Sequence, residues 1–155
     1  MYSGTISAMP PSSELLYAEI DALKARREAA REALRTAQAE YLEADRVRKR
    51  AARSATQLRL GSPTQDEMAA AMGYSDRQGL RAIAGAEGGY TFGPDVLAEL
   101  AAIAVRYDEA ARARRELVLA LRGAPKDEAL TFAQMGAAMG LSAEGVRYLT
   151  RGRKR

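Results

Sequence analysis

Two stretches of the chain, TQDEMAAAMGYSDRQGLRAI at 64–83 and TFAQMGAAMGLSAEGVRYLTR at 131–151, are variants of one pattern. At an offset of 67, Thr64, Met68, Ala70, Ala71, Met72, Gly73 and Ser75 are met by Thr131, Met135, Ala137, Ala138, Met139, Gly140 and Ser142, so both read T-x-x-x-M-x-A-A-M-G-x-S. Each position has a mechanical reason in two short helices joined by a tight turn. Thr64 with Glu67, and Thr131 with Gln134, have the spacing of a capping box, which satisfies the first free backbone N–H groups of a helix. The methionines of each stretch stand four apart and share one inward face, while Ala69 and Gly136 leave room for a crossing helix. Gly73 and Gly140 supply the left-handed residue that closes the first helix. Ser75 and Ser142 are the expected caps of the second helix, the former strengthened by Gln78 three residues on.

In the second stretch Val146 and Leu149 follow Gly140 by six and nine residues, which predicts both on the buried side. In the first, Leu80 and Ile83 follow Gly73 by seven and ten, so its turn must be one residue longer. Gly79 inside that second helix costs up to about 1 kcal/mol against alanine.

Outside the two stretches the chain reads as long helix. Residues 12–60 hold no glycine or proline and are rich in Ala, Leu, Glu and Arg, all strong helix formers. Leu16, Ile20, Leu23, Ala30, Leu34, Ala37, Tyr41, Ala44, Ala51, Ala55 and Leu58 form a coiled-coil-like stripe interrupted by Arg27 and Arg48. So many alanines bury little area each, so the stripe needs a partner. A single helix of this length spans roughly 70 Å; either it breaks once between Arg35 and Arg46, or it projects as a dimerisation arm. Gly61, Ser62 and Pro63 end it. A second long helix is predicted from Asp95 to Arg122, with Val96, Leu100, Ile103, Tyr107, Ala110, Leu117 and Leu121 on its apolar face, repeating the spacing of the first helix at an offset of 80. Residues 85–93 (GAEGGYTFG) are read as a turn or short wing rather than a phosphate cradle, since no strand precedes them and the Lys-Ser/Thr ending is missing.

The expected fold is all-α: a disordered N-terminus at 1–11, a long coiled-coil-like helical segment at 12–60, a first helix-turn-helix at 61–93, a linking helix at 94–122, and a second helix-turn-helix with a basic tail at 123–155. Residues 131–151 resemble the helix-turn-helix of bacterial regulators and of the promoter-reading C-terminal region of sigma factors, with Ala113 to Arg122 as supporting helix. The longer turn of GYSDRQGLRAI is similar to helix-turn-helices of the arabinose-regulator class, which also carry two such units. The resemblance implies that the second helix of each unit enters the major groove of double-stranded DNA. The outward residues are then Ser75, Arg77, Gln78 and Arg81 in the first unit and Ser142, Ala143, Glu144, Arg147, Tyr148 and Arg151 in the second. Arg147 is the leading base-contact candidate, since arginine takes guanine bidentately, and Glu144 can accept from cytosine. Many relatives carry Arg-Gln where this chain has Ala143-Glu144, which weakens base reading by that turn.

The charge pattern fits this expectation. The net charge is +4. Arg46, Arg48, Lys49, Arg50 and Arg53 form one basic cluster, and Arg147, Arg151, Arg153, Lys154 and Arg155 a second, as expected of surfaces that meet phosphates. Residues 61–93 carry two more acids than bases. The absence of cysteine and histidine removes zinc fingers, thiol nucleophiles and histidine bases. No carboxylate cluster has metal-site spacing, so an enzyme, a cofactor or a metal is not expected. No apolar run reaches the roughly 18–20 residues of a membrane span, and the expected location is cytoplasmic and nucleoid-associated. The leading expectation is a sequence-specific transcriptional regulator whose units, spaced by a helix of roughly 42 Å, read adjacent or successive grooves about 34 Å apart. It would act as a monomer or as a homodimer through the N-terminal helix. The alternative is an oligomeric helical scaffold or architectural adaptor, of the kind used in phage packaging or plasmid maintenance, in which the same units only position DNA.

Overall fold

The computed structural model describes residues 13–59 and 63–151, and these form six helices with no strand among them. They are α1 (Ser13–Thr56), α2 (Gln65–Ala71), α3 (Arg77–Ile83), α4 (Val96–Arg122), α5 (Phe132–Met139) and α6 (Ala143–Thr150). Residues 1–11 and the basic tail Arg153, Lys154 and Arg155 lie outside the described residues.

Helix α1 runs 44 residues without a break. Its continuity follows from a sequence free of Gly and Pro, supported by ion pairs one turn apart: Glu28 with Arg31, Glu32 with Arg35, Glu43 with Arg46 and Asp45 with Lys49. It closes sooner than the expected Leu60, through backbone bonds from Gln57 to Ser54 and from Leu58 to Ala55. Helix α4 starts where Asp95 accepts a hydrogen bond from the Ala98 N–H at 3.1 Å.

The chain divides into two compact units, one of residues 36–116 and one of residues up to 35 together with those from 117. Each long helix contributes a part to both units. In the first unit, Ala51, Ala52 and Ala55 of α1, Met68, Ala69 and Met72 of the α2 segment, Leu80 of α3 and Leu100 and Ile103 of α4 form a buried core. In the other, Leu34 of α1 and Val118 of α4 are buried with Leu130, Met135, Met139 and Val146. Each core thus combines one helix pair with a part of α1 and a part of α4.

These two cores correct the repeat register of the long helices. Leu34 and Leu100 are both fully buried, each under the methionines of a helix pair, and they stand 66 residues apart. The same offset relates Tyr41, Glu43, Ala44, Arg46 and Arg48 to Tyr107, Glu109, Ala110, Arg112 and Arg114, and Ala52 to the buried Val118. The register of the long helices is therefore 66, not 80; the first helices of the pairs follow at 67 and the second helices at 66, so one unit of helix plus helix pair occurs twice in the chain.

Contacts between α1 and α4 within residues 36–116 are reciprocal. The Arg48 guanidinium lies 3.6 Å from the Tyr107 ring centroid, and Arg114 lies 3.5 Å from that of Tyr41. The two rings approach at 5.5 Å between centroids. Arg114 also donates to Gln38 at 3.0 Å, and Arg48 to Tyr74 at 3.2 Å. Each of two arginines set on an apolar seam thus lies against an aromatic face, and Arg48 also pairs with Asp45.

Candidate nucleic-acid interface

The two helix pairs begin alike. Thr64 accepts from the Glu67 N–H and Thr131 from the Gln134 N–H, each at 3.1 Å, and the Glu67 and Gln134 side chains return to the N–H groups of their threonines, so both expected capping boxes form. Met68, Met72, Met135 and Met139 are buried. Gly73 and Gly140 take the left-handed conformation at φ of 89° and 69°. Just past them, the Tyr74 N–H donates to the Ala69 carbonyl and the Leu141 N–H to that of Gly136, a closure that ties each turn to its first helix. A Cβ on Gly136 would overlap the Leu141 carbonyl oxygen. The small residue therefore makes room for the pair's own turn, not for a crossing helix.

The second helices begin differently. Ser142 caps α6 as expected, accepting from the Gly145 N–H at 3.0 Å. Ser75 does not cap α3; Asp76 does, accepting from the Gln78 N–H at 2.9 Å. The residue that lengthens the first turn moves the cap on by one. Asp66 of α2 accepts from the Arg77 N–H at 2.9 Å, so two carboxylates sit on the first turn of α3. Allowing for the inserted residue, α3 and α6 align at offset 66: Asp76 with Ser142, Gly79 with Gly145, Leu80 with Val146, Arg81 with Arg147 and Ile83 with Leu149. The midhelix Gly79 is explained by packing, because a Cβ there would stand 2.7 Å from the Tyr74 Cβ.

All the described residues singled out from sequence lie on the surface. Ser75, Arg77, Gln78 and Arg81 are exposed in the first unit, and Ser142, Ala143, Glu144, Arg147, Tyr148 and Arg151 in the second. Leu80 and Val146 are fully buried beneath them, with Ile83 and Leu149 packed against the same cores. Each second helix therefore has one face in the core and one in solvent.

The equivalent arginines are held by the opening residue of their own pair, a relation the sequence reading missed. Arg81 donates through Nε to Gln65 Oε1 at 3.1 Å, and Gln65 Nε2 reaches the Thr56 carbonyl at 3.3 Å. Arg147 instead lies over the ring of Phe132, 5.8 Å from its centroid, and Arg122 flanks the same ring at the same distance. Gln65 and Phe132 each open the first helix of a pair. Arg147 also pairs with Glu144 at 3.2 Å, so Glu144 partly neutralises the residue expected to read beside it. Arg53, Thr56, Gln65, Arg81 and Ala84 line a shallow cavity of about 270 Å3.

The first basic cluster is mostly occupied inside the protein. Arg46 bonds Glu43 through two nitrogens. Arg48 pairs with Asp45 at 2.7 Å and Lys49 with the same carboxylate at 2.9 Å. Burial favours the neutral Asp45 carboxyl, but hydrogen bonds from Lys49 and Arg48 outweigh it and hold the group below the ordinary aspartate range. Arg50 donates to the carbonyls of Gly88 and Gly89, both at 3.0 Å, and Ser54 accepts from the Tyr90 N–H. These bonds clip the glycine-rich loop along α1, where Tyr90 and Phe92 cover the core. Arg53 of the cluster lines the shallow cavity beside Arg81 of α3.

Among the described residues no group of His, Cys, Asp or Glu could hold a metal ion, and no helix is long and apolar enough to cross a membrane. Comparison with protein-family models, curated proteins and solved structures finds no match to this chain.

Proposed function

We propose that the chain is a sequence-specific double-stranded DNA-binding protein, a regulator whose two helix-turn-helix units set α3 and α6 into the major groove. The observation that carries this reading is the equivalence of Arg81 and Arg147. Two helix pairs that share the capping box of the first helix, the left-handed glycine and the buried methionines each direct an arginine outward at the same position of the second helix. Structural packing alone asks for the buried Leu80 and Val146; it has no use for an exposed arginine at both positions.

The units differ as readers. The first offers Arg77, Gln78 and Arg81, suited to guanine and adenine edges, but Asp66 and Asp76 stand at the start of its helix and repel phosphate. The second offers Arg147, Tyr148 and Arg151 on a helix capped by a neutral serine, and the segment 123–155 carries three more bases than acids. The reading assigns base discrimination mainly to α3 and phosphate affinity mainly to α6 and the residues after it.

Selection of bound sequences from random DNA at two salt concentrations tests this. A regulator yields a motif, and Arg81→Ala or Arg147→Ala relaxes it at defined positions. Binding without a motif that vanishes at the higher salt makes the protein architectural, and no binding refutes the proposal.

A further inference from the structure

Each long helix carries a basic residue in its last turn, Arg53 in α1 and Arg122 in α4. Arg122 stands 66 residues after Thr56, and Arg53 lies one turn before Thr56. In each unit that arginine converges on the outward arginine of the second helix. Arg53 and Arg81 line one cavity of about 270 Å3, and the rest of its lining, Thr56, Gln65 and Ala84, holds no carboxylate. Arg122 and Arg147 meet on the ring of Phe132, each 5.8 Å from its centroid.

Convergence of like charges costs energy, and little in either unit offsets it. Arg46, Arg48 and Lys49 of α1 pair with acids and Arg50 with two carbonyls. Among the described residues, the Arg53 guanidinium has no hydrogen bond or ion pair. Arg81 bonds only the neutral Gln65, through Nε, which leaves both terminal nitrogens without a partner. In the other unit Arg147 has Glu144 at 3.2 Å, but Arg122 has only the ring. A basic residue near a helix C-terminus complements the helix dipole wherever its side chain points. That role does not call for a second arginine beside it.

We propose that Arg53 and Arg122 are phosphate-contacting residues, each taking a backbone phosphodiester of the DNA beside the base pair that Arg81 or Arg147 reads. This rests on the DNA-binding reading and adds to it two residues from outside the helix pairs, so that the end of each long helix holds the duplex as well. A guanidinium meets the free oxygens of a phosphodiester with parallel N–H bonds, and an anion beside Arg53 offsets its repulsion from Arg81. The first unit has the greater need of such a contact. Asp66 and Asp76 stand on the first turn of α3 and repel phosphate, so α3 has to be held against the DNA backbone from another element.

Salt dependence of duplex binding by the full chain tests it, because each phosphate contact releases counterions. Arg53→Gln and Arg122→Gln should each weaken binding to the selected site and to an unrelated duplex by the same factor. Each should also lower the slope of log affinity against log salt by about 0.9. Arg53→Lys and Arg122→Lys keep the charge and should restore the slope. Arg35→Gln removes an equal charge from an arginine already paired with Glu28 and Glu32, and should leave the slope as it is. A slope unchanged in Arg53→Gln or in Arg122→Gln overturns the proposal and leaves the DNA-binding reading standing. A slope that falls as expected, in a protein that makes no choice among duplexes, supports the phosphate contacts and overturns sequence-specific recognition instead. A wild-type chain that binds no duplex overturns both. If the Arg53 side-chain N–H signals in nuclear magnetic resonance move with inorganic phosphate alone and not with duplex, the cavity takes a free anion and the proposal fails.

Discussion

Tyr41 and Tyr107 are the same residue of two repeats, and they meet: their rings are 5.5 Å apart and their hydroxyl oxygens 3.3 Å. Around them the arginine-on-ring contact is made twice, Arg48 over Tyr107 and Arg114 over Tyr41. Reciprocity of this kind belongs to two-fold association of identical partners. Here both partners are in one chain. Each repeat gives the other a leucine, Leu34 under one pair of methionines and Leu100 under the other. Neither helix pair therefore completes its core from its own repeat, and stability is expected to be shared.

The tyrosine contact makes the fold sensitive to alkali. Burial, the hydrogen bond with Tyr41 and the nearby Tyr41 and Asp45 charges raise the Tyr107 phenol, against the pull of Arg48, from 10 to about 12. In the unfolded chain it titrates near the ordinary value of about 10. Between these values the unfolded state holds fewer protons than the folded one, so stability falls as pH rises. The full contribution is present below pH about 10 and is lost through about 12. Ultraviolet titration should show a late phenol step, and Tyr107→Phe should remove it. A Tyr107→Phe protein that keeps the late step refutes the assignment.

Capping of α3 separates two neighbouring residues. Asp76 accepts the Gln78 N–H, whereas Ser75 lies in the turn. Asp76→Ala should lose about 1 kcal/mol of stability, the usual worth of an N-cap, while Ser75→Ala should stay within about 0.5 kcal/mol, as surface changes do. Urea denaturation of the two variants gives the comparison, and a larger loss in Ser75→Ala than in Asp76→Ala would return the cap to Ser75.

Two glycines of the α5–α6 pair resist substitution for different reasons. Gly140→Ala puts a side chain at φ 69° with nothing within 4 Å of the new Cβ, so only conformational strain of about 1–2 kcal/mol is expected. Gly136→Ala drives its Cβ into the Leu141 carbonyl, which is backbone and held by the turn. Overpacking of this kind costs about 1–3 kcal/mol or more, so thermal unfolding should place Gly136→Ala below Gly140→Ala. The reverse order would show that the turn yields more readily than its hydrogen bonds suggest.

What was legible in the sequence follows from the range over which each signal acts. Caps, left-handed glycines and the extra residue of the first turn are local, and Thr64, Gly73, Gly140 and the spacing to Leu80 declared them. The exception is Ser75 against Asp76: the shared pattern ends on the serine, whereas the extra residue of the first turn moves the cap one position on. The register of the long helices was misread because apolar spacing repeats at every heptad and cannot tell an offset of 66 from one of 80. The decisive signal was polar, Tyr41-x-Glu43-Ala44-x-Arg46-x-Arg48 against Tyr107-x-Glu109-Ala110-x-Arg112-x-Arg114. Arg48 looked like part of a phosphate-binding cluster because sequence shows a charge but not the Asp45 and Tyr107 that surround it. The outward faces of α3 and α6 were readable once their buried residues were known, whereas the anchoring of Arg81 and Arg147 crosses 16 and 15 residues and was not.

That anchoring carries the last prediction, which rests on the proposed DNA binding. Gln65 holds Arg81 Nε while its own amide is tied to the Thr56 carbonyl, so the guanidinium is set before any partner arrives and less rotamer entropy is lost on contact. An arginine that takes a guanine edge bidentately is worth about 1–3 kcal/mol, and its removal in Arg81→Ala should lose most of that. Gln65→Ala leaves the charge in place and removes only the hold, so it should weaken specific binding by a smaller factor without changing the slope of affinity against salt. In the Arg81→Ala background the same change should have no further effect, because its target is gone. A double-mutant cycle on the selected site, measured at two salt concentrations, gives the coupling. Additive losses would mean that Gln65 acts on DNA directly or on the fold, and not through Arg81.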